Sequence, residues 1–207
     1  MRITTALDDV LASRGHLRVL RALDALPEGL AVSVRDMARR AGLAHPRTSQ
    51  VLASLTELGL ARVQRAGRAD LYQLNREHLL FPIVHGLFVQ EAAVQGELVA
   101  FLRRRLRAAL KSVHEAYLFG SVARGESRAG SDIDLAVVIP RADLADAETR
   151  LQRVAEEVRL RFGNDLSVHI STQPLSKRVR AGQGRALWAQ IAKEGLRIMP
   201  ATAAKRA

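Results

Sequence analysis

Asp132 and Asp134 stand one residue apart in the apolar run DIDLAVVI, residues 132–139. On a strand, alternate side chains share a face. Both carboxylates then project together, while Ile133 and Leu135 turn to the other side. Two carboxylates held so close repel unless a cation lies beside them. Mg²⁺, or Mn²⁺ in its place, takes carboxylate oxygens and keeps room for phosphate oxygens. Upstream lies FGSVARGESRAGS, residues 119–131. The glycine at 120 lets backbone approach a phosphate closely. The Ser121 hydroxyl and nearby N–H groups can donate to its oxygens. A lone D-x-D is often no more than a strand edge, and a lone Gly-Ser pair says less. The order Gly-Ser, loop, Ser-Asp-x-Asp is more specific, and it suits metal-assisted displacement at a phosphorus.

Such a site needs strands to hold it. AYLFG (116–120) and DIDLAVVI (132–139) read as two, and DLSVHIST (165–172) as a third. Between the second and third, ADLADAETRLQRVAEEVRLRF reads as a helix. The stretch from Pro174 to Met199 reads as helical, interrupted near Gly182–Gly184, with a short strand at its end. Strand, strand, helix, strand, helix is a mixed α/β pattern. In the third strand Leu166, Val168 and Ile170 form the apolar side. Asp165, Ser167, His169 and Ser171 form the other.

FGSVARGESRAGSDIDLAVV resembles the signature of the DNA polymerase β-like nucleotidyltransferase superfamily, particularly its minimal nucleotidyltransferase branch. The resemblance covers about residues 113–200. It implies a small mixed sheet flanked by helices, binding of a nucleoside triphosphate with Mg²⁺ or Mn²⁺, and transfer of a nucleoside monophosphate to a hydroxyl. By motif position Gly120 and Ser121 would hold the triphosphate, Asp132 and Asp134 the metal. Arg124 and Ser131 lie in the matching loop and would help with phosphate. The superfamily carries a third carboxylate on a later strand, which helps activate the attacking hydroxyl. Asp165 has the right parity for it but sits at the strand's start. His169 has the right parity and sits deeper, where it could act as a general base or mark a site without turnover. Lys177, Arg178, Arg180 and Arg185 read as a solvated helix face, and Trp188 as core.

The N-terminal half has another plan. HLRVLRALDAL (16–26) has helical periodicity, with Pro27 and Gly29 behind it. Ser33 can cap a helix from Val34 that turns Met37, Ala38 and Ala41 inward. Gly42 makes a turn, and Pro46 suits the first turn of the next helix, whose stripe is Val51, Leu52, Leu55 and Leu58. LARVQR and ADLYQLN then form a hairpin around Ala66-Gly67. This is a winged helix-turn-helix plan, and over residues 14–77 it resembles the winged helices of MarR-type repressors. The resemblance implies double-stranded DNA as partner. His45, Arg47, Thr48, Ser49 and Gln50 would face the major groove. Arg62, Arg65 and Arg68 would set the wing on phosphates or in a minor groove, and Arg35, Arg39 and Arg40 would meet backbone. A homodimer on paired half-sites fits such regulators, and docking of a protein partner is the alternative use.

The expected organisation is therefore a winged helix over 1–78, a helical connector over 79–112, and a nucleotidyltransferase-like domain over 113–207. In the connector Leu87, Val94, Leu98, Phe101, Leu102, Leu106 and Leu110 are expected along one face. The chain of 207 residues has 32 Lys and Arg against 21 Asp and Glu, a formal charge of +11 that favours a polyanionic partner. It has no cysteine, so disulfides and thiolate metal sites are excluded and a cytoplasmic location is expected. No signal peptide or membrane span is expected. His16, His45, His78, His85 and His114 lack metal-ligand spacing. Two functions fit. One is a DNA-binding nucleotidyltransferase, for which an antitoxin-like, self-regulating use is one setting. The other is a transcriptional regulator whose impaired transferase domain senses nucleotide or binds a partner.

Overall fold

Local signals start each element of the N-terminal half. In the computed structural model, which describes residues 5–128, 130–180 and 184–200, α1 (Ala6–Val10) precedes α2 (Arg14–Asp24). Ser13 caps α2 by accepting from the His16 N–H at 3.3 Å, so the helix begins earlier than its apolar period suggests. β1 (Val32–Ser33) leads into α3 (Val34–Ala41), where Ser33 Oγ accepts from the Asp36 N–H at 3.2 Å. Such a cap contributes about 1 kcal/mol. Gly42, at φ 61°, adopts the left-handed turn that ends α3. α4 (His45–Glu57) follows with Pro46 in its first turn. β2 (Ala61–Ala66) and β3 (Ala69–Leu74) pair antiparallel around Gly67, and β1 adds to the far side of β3. β1 has no signature in the sequence, because two residues are too short to show alternation.

The chain divides into units 1–92 and 93–207. In the first, Leu20, Leu23, Met37, Val51, Leu52 and Leu55 form the core. α5 (Phe81–Ala109) supplies Val84 and Phe88 to that core, and Leu98, Phe101, Leu102 and Leu106 to the core of the second unit. Leu87 and Val94, expected on the apolar face, are exposed. Neither unit's core includes those two positions.

The second unit is built on a four-stranded sheet of order β6-β5-β4-β7. β4 (Glu115–Phe119) runs antiparallel to β5 (Ile133–Val138) and to β7 (Leu196–Met199), while β5 is parallel to β6 (Leu166–Ser171). A parallel pair needs a crossover. It comes from a 3-10 turn, Arg141–Asp143, and α7 (Leu144–Phe162). Ile133, Leu135 and Val137 face α5 and α7. On the other face Tyr117, Phe119 and Ala136 pack with Leu175, Trp188 and Ile191 of α8 (Leu175–Arg180) and α9 (Arg185–Glu194). Trp188 is core, as expected. Of the interruption expected near Gly182–Gly184, residues 181–183 lie outside the described residues. No described helix is long and apolar enough to cross a membrane.

Candidate functional site

Strand parity sorts the charged groups onto the α8/α9 face of the sheet. Asp134 lies in β5 opposite Phe119 of β4 and Ser167 of β6. Asp132 precedes β5 and is exposed. Gly120 leaves β4 at φ 73° to open the short helix α6 (Gly120–Ala123). A Cβ at Gly120 would collide with the Asp134 carboxylate. Only glycine therefore permits both the turn and the carboxylate beside it. Gly120→Ala is expected to destabilise the protein by about 1–3 kcal/mol and to displace Asp134. Thermal melting and a crystal structure of the variant check this. A variant with native melting and an unmoved Asp134 would refute the close fit.

Burial pushes the Asp134 carboxyl above its ordinary range, and Asp132 adds to the rise. His169 and Arg124 act in the opposite direction. Arg124 is held by Glu126 at 2.8 Å and by Glu194, at the end of α9, at 3.1 Å. Ser121 starts the turn, its carbonyl accepting from the Glu126 N–H at 2.9 Å. Ser131 is tied into its own loop: its Oγ accepts from the Arg128 N–H at 2.9 Å, and its carbonyl accepts from Asn164 Nδ2 at 2.9 Å.

The two candidates for the third position lie in different surroundings. Asp165 precedes β6, its side chain 68% exposed and 3.6 Å from Arg159. His169 lies deeper in β6, opposite Ala136 and with its ring centroid 5.6 Å from that of Phe119. Among the described residues no group of three His, Cys, Asp or Glu stands close enough to hold a metal. The two-carboxylate oxygen donor set of Asp132 and Asp134 does suit Mg²⁺ bound partly by substrate phosphates.

Lys177, Arg180 and Arg185 are exposed, and half-buried Arg178 lies over the Trp188 ring at 5.2 Å. Three groups escape a reading of the sequence. Gln95 of α5 donates to the carbonyls of Val122 and Ala123 at 3.1 and 3.4 Å, holding α6 from behind. Glu194 and Asn164 anchor Arg124 and the Ser131 loop. Their partners are 27–70 residues distant in sequence, and no local pattern announces such contacts.

In the first unit, α4 presents His45, Arg47 and Gln50 to solvent, with Ser49 half-buried. Thr48 does not join them. It is fully buried, and its hydroxyl donates to the Ala44 carbonyl at 3.0 Å, because its position on the helix faces the core. Arg47 donates to Ser13 Oγ at 3.1 Å. Arg62, Arg65 and Arg68 are exposed on the hairpin, Arg62 paired with Glu77. Arg35 is exposed on α3, and Arg39 is bonded to Asp36 at 2.7 Å.

Behind α4 lies His16, buried on α2, with Ser13 Oγ at 2.9 Å from Nδ1 and Ser54 Oγ at 3.4 Å from Nε2. Burial, and secondarily Arg47, holds its pKa below 6.5. Below that value the unfolded chain takes up a proton that the folded chain resists, so stability falls as pH falls. Thermal melts are expected to drop between about pH 7 and 5, and to drop less in His16→Gln. An identical pH profile in the variant would take His16 out of the acid sensitivity.

Residues 100–187 match the family model for a nucleotidyltransferase domain, and residues 12–69 match the model of the MarR family. The chain thus joins a MarR-family winged helix-turn-helix to a nucleotidyltransferase domain. A domain of the second kind implies an NTP substrate, and the first suggests DNA binding. No curated protein matches the chain. A solved structure described as "Crystal structure of the toxin-antitoxin with AMP-PNP" is similar at 17% identity over 48% of this chain and 71% of that one, with a TM-score of 0.33.

Proposed function

We propose that this protein is a DNA-binding, metal-dependent nucleotidyltransferase that moves a nucleoside monophosphate from an NTP to a hydroxyl acceptor. The observation that carries the reading is the junction of Gly120 with Asp134, where a left-handed glycine leaves β4 against the carboxylate of β5. Gly120 and Ser121 would take the triphosphate through backbone N–H groups and the serine hydroxyl, with Arg124 and Ser131 at the loop's edge. Asp132 and Asp134 would hold Mg²⁺ or Mn²⁺, which supplies charge neutralisation to attacking and leaving oxygens. The acceptor oxygen bonds to the α-phosphorus, the bond to the bridging oxygen breaks, and pyrophosphate leaves. His169 is better placed than Asp165 to receive the acceptor proton, because it shares the Phe119 and Asp134 neighbourhood.

On the winged helix, His45, Arg47, Ser49 and Gln50 would read the major groove, with Arg62, Arg65 and Arg68 on the wing and Arg35 at backbone. A homodimer on paired half-sites and self-regulation of the antitoxin kind are consistent uses of such a chain. A second reading rests on the exposure of Asp165, which would leave His169 as the third group in place of a carboxylate: a transcriptional regulator that binds nucleotide without consuming it. Incubation with each α-phosphate-labelled NTP, Mg²⁺ or Mn²⁺ and a host lysate separates the two. Label on a protein, RNA or small molecule supports transfer. No label, in a preparation that still binds NTP, supports the regulator.

A further inference from the structure

α2 and α3 of the first unit leave a hollow of about 500 Å³ between them, lined by Arg18, Arg21, Arg39 and Arg40 above the small residues Ala22 and Ala41. No acidic side chain lines it. A guanidinium is always charged, so four around one hollow repel one another unless anions offset them. Two are offset from outside it. Arg39 bonds Asp36 at 2.7 Å, and Arg21 forks onto Glu91 at 2.6 and 2.9 Å. Arg18 donates to the Gly42 carbonyl at 3.1 Å, a neutral acceptor. Arg40 makes no hydrogen bond or ion pair with any described residue. Two of the four charges thus have no acidic counterpart among the described residues.

We propose that this hollow binds a small anion carrying two or three phosphates, as free pyrophosphate or triphosphate or as the tail of a nucleotide. The guanidinium fork matches phosphate oxygens bidentately, and the alanine floor leaves the space that longer side chains would fill. The volume lies in the range of small-ligand pockets. No residue of α4 or of the β2–β3 hairpin lines the hollow. It is therefore distinct from the DNA contacts proposed above, and it makes Arg39 and Arg40 ligands of this anion rather than backbone contacts. Arg21 is shared between the hollow and Glu91, so the anion competes with a carboxylate of α5 for the same fork.

The test is calorimetric titration of the full chain with inorganic pyrophosphate in excess EDTA, where metal-dependent binding at the second unit is suppressed. Wild-type protein is expected to bind, and Arg18→Glu to bind at least about tenfold more weakly, a loss of about 1.4 kcal/mol. Arg18→Ala, expected to fall between them, serves if the reversed charge disturbs folding, as thermal melting would reveal. No binding by wild type, or binding by both variants equal to that of wild type, overturns the proposal. Duplex affinity and its salt dependence, read on Arg18→Ala, are expected to match wild type. A lower affinity with a shallower salt slope would assign the hollow to the DNA backbone instead and overturn the small-anion reading.

Discussion

Replacing Asp132 and Asp134 together by asparagine is expected to lower nucleotidyl transfer at least about a thousandfold, on the scale of losing a preorganised electrostatic group, while duplex binding stays intact. Asparagine keeps the size of each side chain and removes its charge. The shape beside Gly120 is preserved, so a loss of transfer is not a packing effect. Burial and Asp132 both disfavour ionised Asp134, a cost that the proposed cation would offset. The melting temperature of the double variant should equal or exceed that of the wild type in the absence of metal. Label transfer and gel shift on the same preparation read the two outcomes. Transfer retained within tenfold would remove the metal from these residues. Loss of both activities would show that the two units do not work independently.

Arg47→Ala with Arg65→Ala is expected to weaken duplex binding about a hundredfold at fixed salt, from one contact on a base edge and one on a phosphate. The slope of log affinity against log salt should fall by about one for each phosphate that the variant no longer neutralises. Nucleotide binding should not change. Arg47 also donates to Ser13 Oγ, the cap of α2, so its removal costs the helix a support. Arg65 is exposed on β2 and has no such duty. Arg65→Ala alone is therefore the cleaner variant, with a smaller effect in the same direction. Unchanged affinity in the double variant would take this hairpin and helix off the DNA and leave the winged helix as a docking module.

The elements of both units are legible because their signals are local. Ser33 and Gly42 bracket α3, Pro46 opens α4, and the hairpin turns at Gly67. Strand parity likewise separates Asp134 and His169 from Ile133, Leu135, Val168 and Ile170, because a two-residue period follows from backbone geometry alone. Less is legible where burial depends on what packs against a helix. Thr48 reads as a groove contact and is core, and Leu87 and Val94, read on the apolar face of the connector, are exposed. A helical period says which residues share a face but not which part of that face another element will cover.

The sequence by itself determined the paired aspartates, the Gly-Ser turn, the winged-helix order and the basic character of the chain. Each is a property of residue type and short spacing. Tertiary structure alone decided that Gly120 abuts Asp134, that His169 stands beside Phe119 while Asp165 is exposed near Arg159, and that Gln95, Asn164 and Glu194 hold the site's loops. It also gathered Arg18, Arg21, Arg39 and Arg40 around one hollow. These are contacts between elements remote in sequence. Sheet register and helix packing create them, and no local period encodes either.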